Sequence, residues 1–283
     1  MAAWVQVPYF KLNQMDQAHL DSLAALTAKK IREAKLSDEP PEVLVFDFFR
    51  GSAGTSSQLG TLLADRFSQS LSGYSAGMKV LDRKALKDYL TENWTTLEDL
   101  RSNEVCFSLA RQLGANGAIL GTLAEKDDKI DLTLHLEGFS PKEKEDDIFT
   151  WRDRTVNFSL TEELHAALFQ SGPNYSRKAD DIPAEPGVFR HGEPGVTAPQ
   201  CEYCPDPEYS DAARAVKFQG QVVLSVVVNA NGQVSSVYVL KGAPFGLTTQ
   251  AINATKKWRF KPGQKDGSSV PVRVNVETTF RLL

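Results

Sequence analysis

The chain has 283 residues, 41% of them hydrophobic, which is enough for one or two domains with sizeable cores. The formal net charge of -4 offers no basic field for nucleic acid or anionic lipid, and the charges are mixed along the chain as on a solvated surface. No stretch approaches the roughly 20 apolar residues that cross a bilayer, and residues 1–8 lack the charged start and apolar core of a secretory signal.

Residues 15–170 show helix and strand patterns in alternation, followed by a strand meander. An apolar stripe predicts a helix over 15–35, and the almost continuous apolar run 43–49 predicts a strand buried on both sides. Further helices are predicted at 56–71, 84–90, 103–113 and 161–170, and further strands at 79–83, 118–123, 130–136 and 148–158. This order predicts a mixed sheet covered by helices, within an α+β or α/β fold class.

The composition changes over residues 171–200, which hold five prolines and four glycines without a hydrophobic period. Such a stretch is typical of a partly extended linker. We therefore predict an α/β domain over 1–170, a Pro/Gly-rich linker over 171–200 and a small second domain over 201–283.

The last third of the chain predicts a ββαβ unit. Apolar residues alternate through 222–228, and the turn signal Asn229-Ala230-Asn231-Gly232 leads into a return strand over 233–240. Apolar residues then recur at three- and four-residue spacing over 247–258, which predicts an amphipathic helix. A long strand with one apolar and one polar face follows over 270–282.

Several motifs occur in a characteristic order within this unit. They are Pro207-Glu208-Tyr209, Gly220-Gln221-Val222, Asn231-Gly232-Gln233-Val234 and Ala254-Thr255-Lys256-Lys257-Trp258-Arg259-Phe260-Lys261-Pro262. With them, residues 201–283 resemble the C-terminal domain of TonB-family energy transducers. Ser210 stands where the family usually carries proline.

The resemblance implies a protein-binding module of the periplasm or cell envelope, without enzymatic activity, cofactor, metal or nucleic acid. Its partner would be an outer-membrane TonB-dependent transporter or another envelope protein, gripped by strand addition to the edge of the last strand in support of energy-dependent transport. The expected partner-binding residues are Asp206, Pro207, Glu208, Tyr209, Arg273, Asn275 and Glu277. The alternative is a structural or assembly protein whose TonB-like domain serves docking or homodimerisation without energy transduction.

Family members are held in the inner membrane by an N-terminal helix, and this sequence shows no such segment. Either the chain is the soluble part of a longer, inner-membrane-associated product, or the anchor has been lost.

A second resemblance concerns residues 41–158, whose order of elements is similar to the α/β domain of the CsgG, FlgO and TolB N-terminal group of envelope proteins. The motifs are Val45-Phe46-Asp47-Phe48, Leu62-Leu63-Ala64-Asp65-Arg66-Phe67, Leu81-Asp82-Arg83, Leu109-Ala110-Arg111-Gln112-Leu113-Gly114-Ala115 and Gly121-Thr122-Leu123. Each motif alone is generic.

Few residues suggest chemistry. Cys201 and Cys204 form either a local disulfide, in an oxidising compartment, or a pair of free thiols; zinc would need two further ligands. Asp47 and Asp82 end neighbouring predicted strands and are interpreted as caps and ion-pair partners, with a shared polar pocket as the alternative. Ser75 lies in a Gly-x-Ser-x-Gly pattern, but a helix precedes it and a strand follows, the reverse of a hydrolase elbow.

Overall fold

The computed structural model describes residues 12–34, 40–51, 54–74, 76–127, 129–139, 148–159 and 161–282. The chain forms two compact units, one from Met1–Tyr89 with Leu100–Asn174 and the other from Leu90–Asp99 with Tyr175–Leu283. The helices are α1 (Gln14–Ala34), α2 (Gln58–Ser72), α3 (Arg83–Glu92), α4 (Asn103–Gln112), α5 (Glu162–Phe169), α6 (Asp211–Ala215) and α7 (Leu247–Thr255), with short 3₁₀ turns at Leu97–Leu100 and Ala179–Asp181.

The strands of the first unit are β1 (Glu42–Arg50), β2 (Lys79–Val80), β3 (Gly117–Lys126), β4 (Lys129–Phe139) and β5 (Ile148–Ser159). They form one sheet in the order β2-β1-β3-β4-β5, in which β1 runs parallel to β2 and β3 and the remaining pairs are antiparallel. The predicted mixed sheet covered by helices is confirmed.

Both faces of this sheet are packed, as the continuous apolar run of β1 predicts. Helices α1, α2 and α5 share one core cluster with Val43, Val45 and Phe48. The alternate residues Leu44 and Phe46 are also buried but lie outside that cluster, and α4 packs against β1 and β3. Because successive side chains of a strand point to opposite faces, α4 covers the second face.

The strands of the second unit are β6 (Phe189–Arg190), β7 (Gln200–Tyr203), β8 (Gly220–Val228), β9 (Val234–Lys241), β10 (Arg259–Lys261), β11 (Gln264–Lys265), β12 (Ser268–Ser269) and β13 (Val272–Phe280). Its main sheet has the order β6-β13-β8-β9, and α7 packs against β8 and β9. The succession β8-β9-α7-β13 is the predicted ββαβ unit, which is confirmed.

The interval predicted as a linker, 171–200, carries short regular elements from residue 179 onward. It includes a 3₁₀ turn and β6 on the main sheet, ends at the first residue of β7, and buries Ile182 to 2% exposure. Strands of two to four residues have no visible period, which is why composition alone indicates a linker. The division into domains over 1–170 and 201–283 stays a prediction. Ser75 lies outside the described residues.

Candidate peptide-docking edge

The last strand, β13, has one fully paired side and one largely open side. On the first side it pairs antiparallel with β8 over its whole length, from Val272 to Phe280. On the other side β6 pairs with it in parallel at Val272 and Arg273. From Asn275 to Phe280, no strand within the described ranges pairs with this second side.

The hydrogen bonds to β6 show which residues of β13 face the open side. The His191 N–H donates to the Arg273 carbonyl at 3.2 Å, and the Phe189 N–H donates to the Pro271 carbonyl at 3.0 Å. Since backbone groups alternate sides along a strand, the N–H and C=O groups of Asn275, Glu277 and Thr279 point to the same open side.

The side chains of the expected partner-binding residues on β13 differ in their surroundings. Asn275 and Glu277 are exposed, and Glu277 accepts a 2.9 Å hydrogen bond from the Gln221 amide. Arg273 is only 8% exposed, because its guanidinium donates to the Pro183 carbonyl at 3.0 Å and to the Glu185 carboxylate at 2.7 Å. Strand alternation puts Arg273 on the polar face correctly but cannot predict that residues 183–185 cover it.

The segment 206–209 meets β13 at the opposite end from Arg273. The Tyr209 ring lies 5.6 Å from the Phe280 ring at 90°, and its hydroxyl donates to the Phe218 carbonyl. Just before this segment, the Pro205 carbonyl accepts a 2.9 Å hydrogen bond from the Trp258 indole N–H, which fixes where the segment begins. The Asp206 and Glu208 side chains are exposed.

The Tyr209 phenol stays protonated at neutral pH. Partial burial raises the pKa of Tyr209 above its ordinary value, and the nearby Arg214 guanidinium offsets part of that rise. The hydroxyl therefore remains a donor to the Phe218 carbonyl.

A disulfide joins Cys201 and Cys204, the first of which lies on β7. The strand pairs with β10, and Cys204 comes directly before the segment that leads to Tyr209. Among the described residues, no group of three His, Cys, Asp or Glu side chains is placed to hold a metal ion.

Asp47 and Asp82 of the first unit do not share a pocket. Asp47 is buried and accepts a 2.5 Å hydrogen bond from Arg83. Asp82 is exposed and accepts from the Lys84 N–H at 2.8 Å, as a cap at the start of α3. Asp47 is thus an ion-pair partner and Asp82 is a helix cap.

Residues 205–282 match the family model of the Gram-negative bacterial TonB protein C-terminal domain. This part of the chain, with the ββαβ fold described above, is a TonB-type C-terminal domain. Protein TonB of Xanthomonas campestris pv. campestris (strain B100) is 38% identical over 77 residues, which are 27% of this chain and 34% of that protein. Protein TonB of Escherichia coli K12 is 33% identical over 69 residues, which are 24% and 28% of the two chains. The chain thus spans about a third of the length of these relatives.

Two solved structures are also similar. The Pseudomonas aeruginosa TonB C-terminal domain is 19% identical, and the match covers 33% of this chain and 92% of that structure's chain, with a TM-score of 0.26. The LpoB C-terminal domain from Escherichia coli is 13% identical, and the match covers 50% of this chain and 98% of that structure's chain, with a TM-score of 0.36. None of the helices in the described ranges has the length and apolarity to cross a membrane.

Proposed function

We propose that the second unit is a protein-binding module of the bacterial cell envelope that takes up an extended peptide by strand addition to the open side of β13. The observation that carries this proposal is the row of outward backbone groups at Asn275, Glu277 and Thr279. An edge strand with unpaired N–H and C=O groups is a template for another strand, and peptide-recognition domains use such edges for affinity.

The surroundings of the edge suit a peptide that alternates apolar and polar residues. Val274 and Val276, on the apolar face of β13, are only half buried, whereas Leu224 and Val226 beside them on β8 are fully buried. The apolar face therefore extends to the open edge. An added strand would cover it with every second side chain and leave the others beside Asn275 and Glu277.

The family match of residues 205–282 makes an outer-membrane TonB-dependent transporter the first partner to test, with energy-dependent transport as the process served. The Cys201–Cys204 disulfide suits an oxidising compartment such as the periplasm. Coupling to the inner membrane would require a membrane anchor. We propose such coupling only for a longer product that carries an anchor upstream of this sequence.

The test removes one donor from the edge. Asn275→Pro deletes an outward N–H and leaves the bonds between β13 and β8 in place, since proline is tolerated on an edge whose N–H faces away from the sheet. We expect at least about fivefold weaker binding of labelled peptides copied from the N-terminal segments of outer-membrane transporters, because a hydrogen bond contributes about 1 kcal/mol. Binding is followed by fluorescence anisotropy, and the fold by circular dichroism.

Two controls frame this result. Asn275→Thr keeps the donor and should bind like the parent protein. Val274→Pro removes a donor that faces β8, so it should destabilise the domain itself. Unchanged peptide binding by a folded Asn275→Pro variant would show that the open side of β13 is not the docking edge.

A docking or dimerisation role without energy transduction is the second candidate, and the same exposed edge favours it, since two copies of β13 could pair with each other. Analytical ultracentrifugation separates the two roles. Self-association that Asn275→Pro abolishes, without binding of transporter peptides, would favour the dimerisation role.

A further inference from the structure

Part of the docking edge is already occupied by the chain itself. We define the strap segment as residues 182–191, which begin at the buried Ile182 and end just after β6. At its end, the Phe189 and His191 N–H groups donate to the carbonyls of Pro271 and Arg273. The strap segment therefore binds β13 by strand addition, the same interaction that we propose for a partner.

The strap segment also crosses the polar face of the main sheet, held there through Glu185. Arg273, Val227 and Ser236 are successive register partners on β13, β8 and β9. The Glu185 carboxylate accepts from Arg273 at 2.7 Å and from Ser236 at 3.2 Å, so it links the two strands that flank β8. Beneath it, Val227 is 1% exposed.

Both the backbone and the side chain of Arg273 are thus held by one short segment. The Arg273–Glu185 ion pair is mostly shielded, with side-chain exposures of 8% and 29%. Further along the strap segment, the Lys265 ammonium lies 4.1 Å from the centroid of the Phe189 ring, which is half buried beside Val272. These contacts fix β6 over the first two positions of the edge.

We propose that the strap segment is an internal competitor of the partner strand, held by Glu185, and that a peptide pairing along the whole of β13 displaces β6. This inference rests on the proposed docking function and adds its regulation. The displacing peptide is one that carries an apolar residue in the place of Phe189 and further apolar residues at alternate positions, which cover Val274 and Val276. A peptide that covers only Asn275–Phe280 leaves β6 in place.

The test weakens the binding of the strap segment to β13 and leaves the open part of the edge unchanged. Glu185→Gln keeps the size of the side chain and removes its charge, so the ion pair with Arg273 is lost. We expect the labelled transporter peptides to bind this variant about three- to tenfold more tightly than the parent protein, because less of the binding free energy is used to release β6. Glu202→Gln, an exposed charge removal on β7, is the matched control and should leave affinity unchanged.

Hydrogen–deuterium exchange supplies an independent measurement on the parent protein. Saturating peptide should increase exchange of the Phe189 and His191 amides, whose acceptors on β13 it takes over, and should protect the amides of Asn275 and Glu277.

The outcomes separate this inference from the proposed function. If Asn275→Pro weakens binding while Glu185→Gln has no effect and the Phe189 and His191 amides stay protected in the complex, the competition is wrong and the docking function stands. If no variant binds peptide, both are overturned. Tighter binding by Glu185→Gln together with release of these two amides supports both.

Discussion

Arg83 and Asp47 form an ion pair in which the guanidinium nitrogen and the carboxylate oxygen lie 2.5 Å apart and both side chains are at most 5% exposed. Arg83 also donates to Asp65 at 2.7 Å and to the Val45 carbonyl at 2.5 Å. Burial raises the pKa of Asp65, but Arg83 and Lys87 together outweigh it and hold that pKa below its usual value. The buried cation is therefore compensated on several sides, as expected of a structural group.

The first prediction follows from this pair. Arg83→Met leaves the Asp47 charge buried without its partner, so we expect a loss of about 3–5 kcal/mol in the unfolding free energy of the first unit. Hydrogen–deuterium exchange of peptides from β1 and β3 reports on that unit separately from the rest of the chain. Lys84→Met, which removes an exposed ion pair with Asp88, is the control and should cost under about 0.5 kcal/mol. Equal effects of the two changes would contradict the structural role of Arg83.

The second prediction concerns the interval that composition marks as a linker. Ile182→Ala should destabilise the second unit by about 2–5 kcal/mol, because it removes a side chain that is 2% exposed. Val188→Ala, at a half-buried position of the same segment, should cost less. Urea unfolding with exchange readout in β8 and β9 measures both. A neutral Ile182→Ala would mean that residues 171–200 do behave as a loose linker.

The same interval marks the limit of what the sequence can predict. The β8–β9 hairpin follows from apolar alternation around Asn231-Gly232, and β13 follows from its two-faced pattern, since both signals are local. The proposal that β13 is the docking edge follows from the resemblance. The cover over Arg273 could not be predicted, because it depends on Glu185, which lies 88 residues away between a 3₁₀ turn of three residues and a strand of two residues.

The third prediction concerns the cysteines. In protein exported to an oxidising compartment, Cys201 and Cys204 should be joined, as in the structure, and Cys106 should be a free thiol. Burial raises the pKa of Cys106 well above its ordinary value, with the Asp47 and Glu137 charges adding to the effect, so the thiolate is scarce and the group should resist alkylation until the unit unfolds. Mass spectrometry of alkylated, unreduced protein checks this, and labelling of all three residues in native protein would refute it.

The last prediction compares two glycines with the same backbone conformation and different surroundings. Gly232, in the β8–β9 turn, has φ of 76°, and Gly187, in the strap segment, has φ of 75°. Alanine at either position carries the left-handed strain, about 1–2 kcal/mol. At Gly187 an added Cβ meets nothing within 4 Å, whereas at Gly232 it would lie 1.8 Å from the Phe260 carbonyl oxygen.

That close approach exists because the Phe260 N–H donates to the Gly232 carbonyl at 2.8 Å, which holds β10 against the turn. Gly187→Ala should therefore cost only the strain, while Gly232→Ala must also separate two backbones and should cost at least about 3 kcal/mol in all. Urea unfolding of the two variants, followed by exchange in β8 and β10, gives the difference directly. Equal costs would mean that the turn moves away from β10 freely, and that Gly232 is required only for its backbone angle.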